Sequence, residues 1–280
     1  MNLDLNDLKL TRRGLLQKAG AVGLGAAALT AFAGRPAEAA VATVADVLNF
    51  ALNLEYLEAE FYTYAVMGTG INGVSTPYGT VTATGTVTGN KTAVTFPTND
   101  NGFAATIAQQ IMLDEQSHVA LLQSVLGGLA VPEPNINLSA LDAALAGLTS
   151  FQRFLVLSRA FEDTGVSAYS GGSTLLRSNP TALQAAAQIL AVEAYHASNI
   201  RLMIAQDGLT IPKTDPMDVP PPPASGGFFF AVTNALAITR STSQVLGIAY
   251  GQSTPTAFAP AGVTSGGFFP NGTNGNIKST

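Results

Sequence analysis

The sequence has no cysteine. That absence excludes disulfide frameworks, zinc–thiolate sites, cysteine nucleophiles, iron–sulfur clusters and a lipidated N-terminal cysteine, so any chemistry must use oxygen and nitrogen ligands. Histidine is almost as scarce: His118 and His196 are the only two, and all imidazole chemistry runs through them. Charged residues make up only 11% of the chain, with 13 Lys plus Arg against 18 Asp plus Glu. This mild acidity argues against nucleic acid as a partner. What the chain has instead is 47% hydrophobic residues over 280 positions, enough to bury one large core or two small ones and too much for global disorder.

The first forty residues read as a targeting segment rather than as fold. Thr11-Arg12-Arg13-Gly14-Leu15-Leu16-Gln17-Lys18 precedes an Ala/Gly/Leu-rich run from Ala19 to Gly34 and the small-residue site Ala37-Glu38-Ala39. A charged region, a short apolar region and an A-x-A site in that order make a cleavable signal over residues 1–39. The paired arginines resemble a twin-arginine export signal, whose pathway carries folded proteins. Its removal would leave 8 basic and 15 acidic residues, a soluble exported protein of net charge −7 in the periplasm or outside the cell. No later stretch is long and apolar enough to span a bilayer.

Beyond the leader, residues 43–67, 103–127, 150–170 and 181–206 sustain apolar residues at helical period without internal proline, which predicts four helices within residues 40–208. The Gly/Thr/Val/Asn-rich segment 68–102 contains the alternating run Thr80 to Thr88, read as a hairpin excursion. Val131-Pro132-Glu133-Pro134 opens an extended link with at most a short turn, as expected when the chain crosses a bundle. Residues 209–280 turn to Pro, Gly, Ser and Phe, with one more short helix over 234–250, and form an extension packed on the bundle. Within it, Ser225-Gly226-Gly227-Phe228-Phe229 and Ser265-Gly266-Gly267-Phe268-Phe269 repeat, which predicts two similar turns that each tuck paired phenylalanines under the surface. The fold class is all-α.

Each predicted helix carries a stripe at 3–4 spacing. The stripes run Leu48, Ala51, Glu55, Glu58, Tyr62, Ala65; Ala108, Ile111, Glu115, His118, Leu122, Val125; Phe151, Leu155, Ser158, Glu162, Gly165, Tyr169; and Ala186, Ile189, Glu193, His196, Ile200, Met203. Ionisable residues sit in the middle of apolar seams. Ionised carboxylates at one level of a bundle core are unfavourable by several kcal/mol unless compensated.

The spacing indicates the compensation. Both histidines stand three residues after a glutamate, Glu115-x-x-His118 and Glu193-x-x-His196, which puts each pair on one helical face. With eight glutamates in the chain, that double coincidence arises by chance on the order of once in a thousand, and it is the pattern of di-metal helix bundles. Glu55 and Glu162 are each followed seven residues later by a tyrosine, Tyr62 and Tyr169. Four carboxylates neutralise two divalent cations and two imidazoles complete the ligation, a donor set suited to iron or manganese.

This arrangement resembles the ferritin-like di-iron carboxylate superfamily. Asn53-Leu54-Glu55, Glu58-Ala59, Phe61-Tyr62, Glu162-Asp163-Thr164-Gly165 and Ala191 to His196 are most similar to its desiccation-related branch, as is Gly267 to Gly272. The resemblance implies a ferritin-like bundle with Glu55 and His118 as terminal ligands of one metal, Glu162 and His196 of the other, and Glu115 and Glu193 bridging. Candidate catalytic residues are Glu58, Tyr62 and Tyr169. The tyrosines read as hydrogen-bonded groups that orient ligands or as redox relays. Glu58 has no counterpart on the third helix, where Gly165 takes its place, so Glu58 reads either as a supplementary ligand or proton acceptor with Gly165 as room for a small ligand, or as a hydrogen bond to a neighbouring helix with Gly165 permitting close helix packing. Glu60 falls off the seam and is expected in solvent. Asp114 and Asp163 read either as acceptors behind the ligands or as surface charges. Two functional classes follow: an oxidoreductase acting on dioxygen, peroxide or ferrous iron, or a non-catalytic envelope protein whose metals only hold the bundle. The long extensions argue against a storage cage and leave room for a homodimer.

Overall fold

The computed structural model describes residues 42–229 and 235–280; the expected leader lies outside them. Four long helices form the frame: α1 Val44–Met67, α2 Phe103–Leu126, α3 Ser150–Gly172 and α4 Pro180–Asp207. Each begins or ends where local chemistry directs. Thr43 and Asp46 close a capping box at α1, Thr149 and Gln152 another at α3, and Asn179 caps α4 with Pro180 in its first turn. Such caps satisfy amides that have no partner in the first turn and contribute about 1 kcal/mol each. The chain leaves both α1 and α4 through a glycine, Gly68 and Gly208, in the left-handed conformation that an L side chain disfavours.

The helices pack as two close pairs, α1 with α2 and α3 with α4. They differ in how much of their circumference is covered. Of the 24 residues of α1, 17 are buried, whereas α4 buries 10 of 28, essentially the stripe Ala186, Ile189, Glu193, His196, Ile200 and Met203. The second pattern is that of a surface helix with one apolar face. The first arises because the connections wrap α1 on its outer side. Asn49 accepts from the Val131 amide (2.9 Å) and donates to the Leu129 carbonyl (2.9 Å), tying down the link between α2 and α3. One turn later the fully buried Asn53 binds both the amide (2.8 Å) and carbonyl (2.9 Å) of Asn274, which docks the C-terminal segment.

The irregular regions depart from the sequence expectation in register. The hairpin is β1 Ser75–Thr76 with β2 Gly79–Thr80, antiparallel and one step earlier than the alternating run. The end of that run, β3 Val87–Thr88, pairs instead in parallel with β4 Ile136–Asn137 from the α2–α3 link. That link also contains a 3-10 turn at Gly127–Leu129. The fifth helix, α5 Thr242–Ala249, starts eight residues later than expected, at a Ser241–Gln244 capping box. Of the two Phe-Phe turns, one behaves as expected: Phe268 and Phe269 are buried, Phe268 edge-on to Phe161 at 4.9 Å. Phe228 and Phe229 are exposed, because their turn lends its carbonyls to Arg201 (Phe228 at 2.8 Å, Gly227 at 2.9 Å) and not its rings to the core. No helix among the described residues is long and apolar enough to cross a membrane.

Candidate metal centre

The polar middles of the four stripes meet in the bundle core. Glu55, Glu58, Glu115, His118, Glu162, Glu193 and His196 are all buried. Their donor atoms fall into two overlapping sets, Glu55 with Glu115, His118 and Glu193, and Glu115 with Glu162, Glu193 and His196, each within 4.8 Å of one another. Glu115 and Glu193 belong to both sets. His118 Nδ1 lies 3.2 Å from Glu55, 3.2 Å from Glu115 and 3.5 Å from Glu193. His196 Nδ1 lies 2.9 Å from Glu115 and 3.3 Å from Glu162 without hydrogen-bond geometry.

The surroundings hold these groups in place. Tyr62 of α1 donates to Glu162 of α3, and Tyr169 of α3 donates to Glu55 of α1. The exchange is reciprocal, so each tyrosine orients the glutamate of the opposite half. Asp114 lies 3.1 Å from His196 Nε2; with the proton on Nε2, Nδ1 is left bare toward the cluster, as in metal sites where a carboxylate sets the tautomer. Asp163 does something else. It is buried against Arg159 and Arg201, both at 2.8 Å, away from the Glu/His cluster.

Without a cation, five carboxyls and two imidazoles share this dry volume. Burial, followed by the charge of Glu115, pushes both Glu193 and Glu58 well above the usual carboxylate range. Burial takes Glu55 up to about 7 against the pull of His118, and raises Glu162 against that of His196. Burial acts on Glu115 in the same sense, but His118 and His196 overcome it and hold that carboxyl below its ordinary value. Both imidazoles are in turn raised well above theirs, against burial, by the surrounding glutamates. The cluster therefore retains protons where a pair of divalent cations would displace them. Among the described residues, Glu115 Oε1, Glu162 Oε2, both oxygens of Glu193 and His196 Nδ1 have no hydrogen-bond partner. Unpaired buried donor atoms converging from three helices, all hard oxygen or imidazole nitrogen, are a donor set compatible with divalent metal ions.

Two sequence expectations are settled by the surroundings. Of the readings of Gly165, close packing holds at the side-chain position, where a Cβ would collide with Glu193 Oε2 and stand 3.5 Å from Glu58 Oε1, while the residue also borders a cavity. The bare backbone is what lets the Glu193 carboxylate reach the cluster. Glu60 is not in solvent but 3% exposed, accepting from the Ile71 amide and facing the buried Glu133. Burial and the neighbouring Glu133 carboxyl push it up to about 8. Its helix is covered on the outer side by the segment after α1, which the stripe analysis treats as water. Sequence reasoning also missed a second buried polar cluster, Arg159, Arg201 and Arg240 with Asp163, Asp215 and Asp218; the i, i+4 spacing of Arg159 and Asp163 is its one local signal.

Residues 43–206 match the ferritin-like domain family, more than half of the chain. The chain belongs to that family, and its helices and buried Glu/His cluster are compatible with a di-metal site. It is also 28% identical over 181 residues to the desiccation-related protein PCC13-62 of Craterostigma plantagineum, a match that covers 57% of this chain and 52% of the plant protein. The chain thus spans about half the length of the curated relative it matches.

Proposed function

We propose that the chain is an exported di-metal carboxylate protein that binds two iron or manganese ions and acts as an oxidoreductase on dioxygen, peroxide or ferrous iron. One observation carries the reading: two four-donor sets that share Glu115 and Glu193, with unpaired oxygens turned inward. Glu55 and His118 would be terminal ligands of one ion, Glu162 and His196 of the other, with the two shared glutamates bridging. When bound, a pair of redox-active ions supplies two electrons together, so an oxidant need not be released as a one-electron radical. The protein's own groups set the conditions. Tyr62 and Tyr169 fix the terminal carboxylates, and Asp114 fixes the His196 ring. Glu58 sits at the edge of the cluster without serving in either four-donor set, placed to accept or return a proton.

The test is turnover by protein reconstituted with iron or manganese, read as peroxide consumption and ferrous oxidation. Glu58→Gln is expected to lower turnover about a hundredfold while metal content stays near that of the parent. Full loading with no turnover on any of these substrates would instead select a second reading, supported by the desiccation-related name of the plant relative, in which the metals only hold the bundle together and the protein protects the envelope during drying. Export in the folded state rests on the Arg12-Arg13 segment. Replacing both with lysine should leave precursor in the cytoplasm, and unchanged export would refute that route.

A further inference from the structure

A cavity of about 410 Å³ runs from the surface to the edge of the Glu/His cluster, between α1, α3, the link 141–148, residues 209–214 and the end of α5. Its walls are aliphatic and aromatic, with Leu54, Leu57, Leu145, Ile211, Ile248 and Phe268 among them. Close-packed interiors hold few voids larger than a water molecule. One of several hundred cubic ångströms with apolar walls and few polar groups has the character of a small-molecule site.

Thr164, Thr210, Thr214 and Ser253 add hydroxyl-bearing residues to the lining, and three residues in it are charged. At the inner end Glu58, 4% exposed, lines the cavity beside Gly165, and its carboxyl has no hydrogen-bond partner among the described residues. At the outer end stands Lys213, exposed and with no ion pair among the described residues. The other cation in the wall, Arg159, is already taken by Asp163 and Asp218. A sugar or nucleotide would strand its hydroxyls and phosphates against these walls. A hydrated cation would meet Lys213 first and then hydrocarbon.

We infer that this cavity binds an apolar organic molecule bearing one anionic group, with the anion at Lys213 and the apolar end against Glu58. The binding stands on the cavity alone. That the occupant is a substrate, presented to the cluster at Glu58, rests on the di-metal reading above.

The test titrates the purified full chain, loaded with manganese, with dodecanoate below its micellar concentration and measures metal content on the same samples. Saturable binding of one dodecanoate per chain is expected. Lys213→Glu should weaken it about tenfold and shift preference to dodecyltrimethylammonium. Ala160→Leu, which adds bulk to a buried wall position, should abolish it; Val156→Phe, at a half-buried wall position, gives the same readout should the first variant fail to fold. Absent binding to the parent, or equal binding to parent and all variants, overturns the inference whatever the metal content. Dodecanoate binding that is retained and variant-sensitive in protein that takes up no metal upholds the cavity and refutes only the di-metal reading.

Discussion

Glu162 and Asp163 are neighbours on α3, yet they enter two different buried clusters. Asp163, with Asp215 and Asp218, is answered by three buried arginines: Arg159 and Arg201 lie 2.8 Å from Asp163, Arg159 also bonds Asp218, and Arg240 forks onto Asp215 at 2.7 and 3.0 Å. Glu162 joins four other carboxyls answered by two imidazoles. The first cluster balances its charge with the chain's own residues and fastens segments together, since Arg201 of α4 binds the Val219 carbonyl and Arg240, beyond α4, binds Ser167 of α3. The second does not balance in charge, and among the described residues it leaves five donor atoms without a hydrogen bond, against Arg159 Nε and Asp163 Oδ1 in the first. That the fold neutralises buried carboxylates in one place and leaves them in excess in another is the contrast on which the proposed metal binding rests.

The largest expected effect breaks the balanced cluster. Arg159→Ala leaves Asp163 and Asp218 facing each other without their shared cation and should lower unfolding free energy by about 3–5 kcal/mol, equally with and without metal, in denaturant titrations. The unbalanced cluster should behave in the opposite way. Glu193→Gln removes a carboxyl that burial and neighbouring glutamates already disfavour, so the chelated protein should be as stable as the chelated parent or more so. The same change should cost the metal-loaded form the stabilisation that bound metal provides, about 4 kcal/mol at free metal a thousandfold above Kd.

Next in size is the pH dependence. In the chelated protein Glu55 stands at about 7 against an ordinary 4.5. Between those values the unfolded chain has lost the proton that the folded chain keeps, so stability from this group is complete below about pH 4.5 and declines as pH rises toward 7. Glu60, at about 8, adds a decline of the same sign that metal does not touch. The chelated parent should thus lose stability from about pH 4.5 to 8, the loaded parent only the Glu60 share, and Glu60→Gln should flatten what remains; identical pH curves for loaded and chelated protein would contradict the assignment. The smallest effect sharpens the contrast within the cluster. Tyr62→Phe and Tyr169→Phe each remove one hydrogen bond to a terminal glutamate and should cost about 1 kcal/mol while metal content is kept, as checked by thermal unfolding of both variants.

How much of this was legible depended on whether a signal was local. The four helices follow from period and caps, and Glu115-x-x-His118 and Glu193-x-x-His196 place four cluster residues by spacing alone. The tyrosines were legible as seam residues, but their exchange of partners across α1 and α3 is a consequence of helix pairing. Glu60 was misread because its cover is the irregular segment that follows α1, and reading a helix by its stripe assumes that the back of the helix is wet. The choice between room and close packing at Gly165 was not legible for a related reason: its side-chain position is filled by Glu193 of α4, which no spacing on α3 can reveal. The late start of α5 was legible after all, in the Ser241-x-x-Gln244 capping box. The second Phe-Phe turn differs from the first through Arg201, far away in sequence.

The central claim is that the excess of buried carboxylates is compensated by two metal ions. Its most direct test is elemental analysis of the purified full chain after reconstitution with iron or manganese, alongside Glu193→Gln. The account predicts about two ions per chain for the parent and close to none for the variant. A parent that binds no metal, or a variant that binds as much as the parent, would contradict it.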